Sequence, residues 1–194
     1  MRVGISPVNG SSLGFLTVVK DAQHGLFGGY LLLNCAGRPL EFHCTAPVKP
    51  NRAQQILYGA TLEEFLFGEH IGQTLLAQSQ LQPLVVCTDC PPALSVRQFS
   101  KAPVVLVLDE QSSAETTAAG GCDALRADGQ RRTVELARFE VGRNRLAVPR
   151  AADEDRRLIE ERLQRWADSL DLLEPFERIR QAIEEAKQAV CQQS

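Results

Sequence analysis

The chain has 194 residues, of which 44% are hydrophobic and 23% are charged, a balance typical of a globular protein that excludes wholesale disorder. The formal net charge of -3 argues against a broadly basic surface that follows phosphates, so we do not expect nucleic acid as a partner. No stretch approaches the roughly 18 apolar residues that span a bilayer, and the amino-terminal region lacks the apolar core of a signal peptide. These features predict a cytoplasmic protein that does not enter a membrane.

The stretch over residues 14–48 predicts an antiparallel β-meander. Its three strand-like runs cover residues 15–19, 28–35 and 40–45, and glycine-bearing turns separate them. The short connection between the second and third runs makes these two an antiparallel hairpin.

The third run has two faces with different prospects. Its apolar side chains alternate with polar ones, Leu40, Phe42 and Cys44 against Glu41, His43 and Thr45. Because successive side chains of a strand point to opposite faces, we expect the apolar set in the core and the polar set on an outward face that binds a partner.

Two helices are predicted after the meander. Asn51 is a suitable N-cap for a helix over residues 52–58, and Thr61 has capping-box spacing for a helix that starts at Leu62. Gly68 and Gly72 lie inside the second helix, where they either permit another element to pack closely or break the helix.

The middle of the chain predicts a short strand–helix–strand segment. Residues 84–86 and 104–108 are continuous apolar runs joined by a helix over about 92–99, which indicates parallel strands covered on both faces. Strict alternation over residues 133–141, followed by a glycine-bearing turn and a second apolar run, predicts a β-hairpin.

The carboxyl-terminal part predicts two amphipathic helices. The second carries a narrow apolar seam that includes Phe176, Ile179 and Ile183. The fold class is therefore α+β: an N-terminal antiparallel β-meander packed with helices, the strand–helix–strand segment, the hairpin and a C-terminal helical hairpin. We expect residues 1–150 to form one α+β domain, subdivided or not near residue 82, and residues 151–194 to form the helical hairpin.

Two of the six cysteines, Cys87 and Cys90, form a CxxC pair placed after a buried strand and before a helix. The placement loosely resembles the thioredoxin-like redox motif, in which a helix N-terminus stabilises a thiolate. A structural zinc site is the related interpretation, with this pair as two of four ligands and His43 as a candidate third.

Asp109 and Glu110 end an apolar strand and look like the Walker B element of P-loop ATPases, where the acidic residues hold Mg²⁺ and position water. The partner motif GxxxxGK[ST] is absent from the sequence. Asp89 and Asp109 lie at the same predicted sheet edge. Either both carboxylates hold one metal ion there, or they simply end buried strands in solvent.

The remaining candidates lie in and after the meander. Glu41 and His43, two residues apart on one strand face, are close enough for acid–base chemistry, so they join Asp109 as candidate catalytic residues. Lys49 and Arg52 flank a helix N-terminus and are candidates for binding an anion.

No complete catalytic set or cofactor motif is present, so the sequence leaves enzyme activity and cofactor open. It predicts a non-catalytic protein-binding or assembly module that presents its sheet face and its C-terminal amphipathic helices to a protein partner or a second copy. Its binding residues would be Glu41, His43, Thr45, Lys49, Arg52, Phe176, Ile179 and Ile183. The alternative is a thiol-redox or zinc-binding protein that uses Cys87 and Cys90.

Overall fold

The computed structural model describes residues 12–109, 121–124, 132–166 and 171–191. Within these ranges eight strands form one mixed sheet in the order β3-β2-β1-β4-β5-β8-β7-β6, and helices cover both of its faces. The α+β class is confirmed. No helix among the described residues is long and apolar enough to cross a membrane.

The predicted meander is confirmed as β1 (Ser12–Asp21), β2 (Gly25–Asn34) and β3 (Pro39–Cys44), paired antiparallel in sequence order. Gly25 and Gly37 supply the positive φ angles, +102° and +69°, that its two turns need. β1 and β2 are buried over most of their length, because they lie at the centre of the covered part of the sheet.

A helical layer follows on one face of the meander. It consists of α1 (Arg52–Tyr58), a 3₁₀ turn (Gly59–Thr61), α2 (Leu62–Glu64), a π-helical segment (Phe65–Gly72) and α3 (Gln73–Gln78). The capping box on α1 forms as predicted, with Asn51 and Gln54 bonded reciprocally. Thr61 makes no such cap, because its hydroxyl donates instead to the carbonyl of Tyr58.

The strand–helix–strand segment is also confirmed. β4 (Val85–Thr88) and β5 (Val104–Leu108) are parallel, and a 3₁₀ helix (Pro91–Gln98), rather than the expected α-helix, joins them. β4 also pairs in parallel with β1, which makes the centre of the sheet a run of three parallel strands.

The second half of the sheet contains β6 (Gly121–Ala124), β7 (Arg132–Val141) and β8 (Asn144–Pro149). β7 and β8 form the predicted hairpin, and β8 joins β5 antiparallel. A 3₁₀ turn (Arg150–Ala152) leads into α4 (Asp153–Leu163), and α5 (Glu174–Cys191) follows.

α4 and α5 pack on the face of the sheet opposite to the first helical layer. The rings of Phe176 and Phe15 meet edge to face, with centroids 5.6 Å apart. Ile179 and Ile183 are buried beside them. The apolar seam of α5 is therefore part of this chain's own core.

Two consecutive glycines in β2 allow both helical layers to approach. A Cβ on Gly28 would lie 2.1 Å from Cγ2 of Ile71 in the π-helical segment, and a Cβ on Gly29 would lie 2.2 Å from Cγ2 of Ile179 in α5. Successive residues of a strand face opposite sides, so each glycine receives one layer.

Replacing Gly29 by alanine should therefore destabilise the fold by overpacking, at a cost of about 1–3 kcal/mol. Urea unfolding followed by circular dichroism would measure it. In an Ile179→Ala background the same replacement should cost less, because the side chain that it meets has gone. Strict additivity of the two changes would contradict the contact.

Candidate functional site

A pocket of about 380 Å³ opens where β1 ends, between the β1–β2 turn, the chain after β3 and the last turns of α5. Its walls are mainly apolar. The lining residues are His24, Phe27, residues 44–47, Ile183, Ala186 and Lys187.

A bulge in the backbone forms part of the pocket wall beside β2. The backbone N–H of Thr45 donates to the carbonyl of Gly28 at 3.0 Å, and Val48 exchanges two hydrogen bonds of 2.8 Å with Leu26. Ala46 and Pro47, in the segment after β3, therefore lie opposite the single residue Phe27 of β2. One of the two is Pro47, which has no N–H to donate to a ladder.

The charged rim of the pocket is organised by Asp21. Its Oδ2 accepts a hydrogen bond of 2.7 Å from Nζ of Lys187, and its Oδ1 lies 3.0 Å from Nδ1 of His24 and also accepts from the backbone N–H groups of Gln23 and His24. Lys187 foremost, and then these N–H groups, lower the pKa of Asp21 well below its ordinary value. Asp21 and then Glu184 raise the pKa of Lys187. Near neutral pH the rim therefore consists of the Asp21–Lys187 ion pair, with His24 hydrogen-bonded to Asp21.

The predicted outward face of β3 lies against the end of α3. Oε2 of Glu41 accepts hydrogen bonds from the Ser79 hydroxyl at 2.8 Å and the Gln80 backbone N–H at 3.2 Å, and it lies 3.1 Å from Nε2 of His43. Burial raises the pKa of Glu41, but these hydrogen bonds lower it by more. Thr45 accepts from the backbone N–H of Gly28 at 2.9 Å. This polar set ties β3 to its neighbours.

The apolar set of β3 is the more exposed one, which reverses the expected orientation. Leu40 and Phe42 are 45% and 40% exposed. They lie on the face of α5, since Phe42 pairs with the core residue Leu31. β3 is the edge strand of the sheet, and α5 packs on β1 and β2 rather than over it.

Cys87 and Cys90 do not have the surroundings of reactive thiols. Burial raises the pKa of Cys87 to about 12, and burial followed by the nearby Asp89 raises that of Cys90 to about 12. A free thiol of this kind stays protonated near neutral pH, whereas a nucleophilic cysteine reacts as the thiolate. No group of three or more potential ligand side chains in the described ranges is placed to hold a metal. These surroundings do not favour the redox or zinc alternative.

The two aspartates at the carboxyl ends of β4 and β5 are engaged separately. The carboxylate of Asp89 forms an ion pair with Arg180 of α5, and the backbone carbonyl of Asp109 accepts from Arg145 at 3.1 Å. Glu110 lies outside the described residues. Among the described residues neither aspartate belongs to a group of three or more candidate metal ligands.

Neither of the two anion-binding candidates lines the pocket. Lys49 donates to the backbone carbonyl of Gln23 in the β1–β2 turn. Arg52 is exposed in the first turn of α1. Asp21, His24 and Lys187 were not among the predicted site residues. The sequence marks the first two only as an aspartate and a histidine three residues apart in a turn, and it gives no sign of Lys187.

No protein-family model matches the chain, and no curated protein sequence matches it. Among solved structures, it is similar to human Endonuclease V, with 14% identity, a TM-score of 0.43, and coverage of 89% of this chain and 86% of that chain. The chain is also similar to the catalytic domain of the human enzyme, with 12% identity and a TM-score of 0.46. The match covers 91% of this chain and 83% of that chain. A third similar structure is Ciona intestinalis Endonuclease V in complex with a 24mer DNA, with 11% identity and a TM-score of 0.43. The match covers 91% of this chain and 87% of that chain. Likenesses of this size do not assign the activity of those enzymes to this chain.

These neighbours are endonucleases, and one is bound to DNA, whereas the sequence predicted a protein-binding or assembly module with a protein partner. That prediction is wrong for the C-terminal apolar seam. The structure supplies a physical reason for the correction, since Phe176, Ile179 and Ile183 are buried in this chain's own core and offer a partner no surface. The argument from net charge against nucleic acid was also wrong, because an average over the chain says nothing about where arginines gather.

Asp21→Asn should weaken the fold in a manner that depends on pH. The native pKa of Asp21 lies below that of an unfolded aspartate, about 3.9, so its contribution to stability is present above that value and is lost as the pH falls towards the native pKa. The difference in urea midpoint between wild type and variant should be largest near pH 7 and should shrink below about pH 4.

Glu63→Gln provides the control for this experiment. It removes the acidic partner of Lys20 in an ion pair whose side chains are both largely exposed, and such pairs contribute little. If the Asp21→Asn difference is constant from pH 7 to pH 3, the ion pair with Lys187 is not its cause.

Proposed function

We propose that the chain binds a small, uncharged and mainly apolar molecule in the pocket beside the end of β1. The observation that carries this proposal is the pocket itself, about 380 Å³ with apolar walls and polar groups gathered at one rim. Ligand sites typically measure about 300–1,000 Å³ and combine apolar walls with a few placed polar groups. The pocket lies at the carboxyl end of a central strand, which is the usual edge for ligands in open sheets with parallel strands.

The charges at the rim support an uncharged ligand. Lys187 is the cation among the lining residues, and it is already paired with Asp21 and with Glu184, at 2.7 and 2.8 Å. An anion would have to compete with both carboxylates. An uncharged molecule meets Phe27 and Ile183 without that cost and can form a hydrogen bond with His24.

An uncharged fluorescent dye such as Nile red would test this proposal. We expect it to bind the wild-type protein with enhanced emission, and Ala186→Trp, which fills the pocket from α5, should weaken binding at least tenfold. Glu185→Trp places the same ring at an exposed neighbouring position that does not line the pocket. Equal binding by both variants would contradict the pocket as the binding site.

A second candidate function is nucleic-acid binding by the β7–β8 hairpin. The similar Ciona structure is itself bound to DNA. The register supports it: Arg138 pairs with Ala147, and Arg145 with Glu140, so both arginines project from one face. α4 packs on the other face, where the guanidinium of Arg156 lies 5.2 Å from the ring centroid of Phe139.

Replacing Arg138 and Arg145 by glutamine should weaken binding of a short DNA or RNA duplex in fluorescence anisotropy titrations. Each phosphate contact that is lost should reduce the slope of log affinity against log salt by about 1. Arg52→Gln, on the distant and exposed α1, is the control. Binding that does not depend on salt, or no binding at all, would exclude this candidate.

A cytoplasmic location remains a prediction from the sequence.

A further inference from the structure

One side of the pocket is formed by the distal turn of α5, residues 184–188. This turn supplies the lining residues Ala186 and Lys187, which follow the core residue Ile183 in the helix. The remaining lining residues belong to the β1–β2 turn, the start of β2 and the segment after β3. The pocket is therefore bounded on one side by the end of a helix, and its shape depends on what holds that end in place.

The apolar attachment of α5 to the sheet stops at Ile183. Phe176, Ile179 and Ile183 are each at most 2% exposed. In the distal turn, Lys187 is half-buried and the other four side chains are exposed. A helix end that buries little apolar surface opens readily, since few contacts outside its own hydrogen bonds hold it. Packing against the core therefore does not fix the distal turn.

Lys187 supplies the attachment that packing does not. Its Nζ lies 2.7 Å from Oδ2 of Asp21, at the end of β1, and 5.4 Å from the ring centroid of Phe27. Both side chains of the ion pair are only 18% exposed, so salt screens it less than a surface pair. The second carboxylate near Lys187, that of Glu184, belongs to α5 itself. No other side chain in residues 184–188 forms a hydrogen bond or ion pair with another described element.

Asp21 is held in place independently of α5. Its Oδ1 accepts hydrogen bonds from the backbone N–H groups of Gln23 and His24, at 2.9 and 2.7 Å, and lies 3.0 Å from Nδ1 of His24. All three contacts lie within the β1–β2 turn, so they persist when Lys187 leaves the carboxylate. An ion pair between a fixed anchor and a weakly packed helix end can open and reclose while the core stays folded.

We propose that the distal turn of α5 is a movable wall of the pocket and that the Lys187–Asp21 ion pair is its latch. The inference rests on the proposed function, because the movement admits the uncharged apolar ligand. With the latch open, residues 184–188 leave the β1–β2 turn and the ligand enters or leaves. With it closed, the ligand is enclosed. Opening serves entry and exit alike, so the latch governs the two rates of exchange more than the affinity.

Lys187→Met tests the latch, because methionine keeps an unbranched apolar side chain beside Phe27 and removes the ammonium group. In stopped-flow mixing with Nile red, we expect the association and dissociation rates both to rise about tenfold, the effect of losing one charged hydrogen bond, while Kd changes by less than about threefold. If Lys187 were only part of a rigid wall, its loss would raise the dissociation rate alone and weaken binding by the same factor. That result would overturn the latch.

Lys20→Met is the matched control. Lys20 also pairs with a carboxylate, that of Glu63, and its Nζ lies 5.5 Å from the ring centroid of Phe67, but it does not line the pocket. We expect this variant to leave both rates unchanged. If the dye binds in the wild-type pocket and Lys187→Met exchanges it no faster, the latch is wrong and the binding function stands.

Hydrogen exchange of the ligand-free protein tests the latch separately from the proposed function. We expect the amides of residues 184–188 to exchange about tenfold faster in Lys187→Met than in wild type, while those of residues 179–183 keep their rates. If this is found and Nile red does not bind, the proposed function fails and the movable wall stands. Equal exchange of residues 184–188 in the two proteins, or faster exchange that extends back through residue 179, overturns the latch.

Discussion

The absence of side chains at Gly28 and Gly29 is the constraint on which the rest of the structure depends. Each glycine lets one helical layer seat a branched side chain against the backbone of β2, Ile71 on one face and Ile179 on the other. A Cβ at either position would displace that layer, because a close-packed interior has no room to absorb it. The depth at which α5 sits, and hence the height of the pocket wall that Ile183 forms, follows from Gly29.

α5 also settles the electrostatics of the sheet edge at which the central parallel strands end. Lys187 neutralises the aspartate that ends β1, and Arg180 neutralises the one that follows β4. Two carboxylates at this edge thus each receive a cation from a single helix. The helix α5 thus closes the apolar core with one side and supplies countercharges with another. The loss of its packing would also deprive these aspartates of their cations.

Much of the fold is predictable because it depends on local patterns. Alternation and glycine turns define the meander and the hairpin, and continuous apolar runs define β4 and β5. The orientation of β3 was not predictable, since it depends on the end of α3 reaching Glu41 while α5 stops short of Phe42. The pocket was missed for a similar reason. Its rim joins Asp21 to Lys187, residues 166 positions apart in sequence, and no pattern in a strand or helix signals such a contact.

The π-helical segment decides which side chains of α3 meet the sheet. The backbone N–H of Gln73 bonds to the carbonyl of Gly68, five residues back rather than four. If the same residues were wound as an ordinary α-helix, everything that follows would turn by about 100°. Leu75, which packs over Gly28, would then leave the sheet and a polar neighbour would replace it. The segment therefore acts as a spacer, in which a single inserted residue sets the rotational phase of α3.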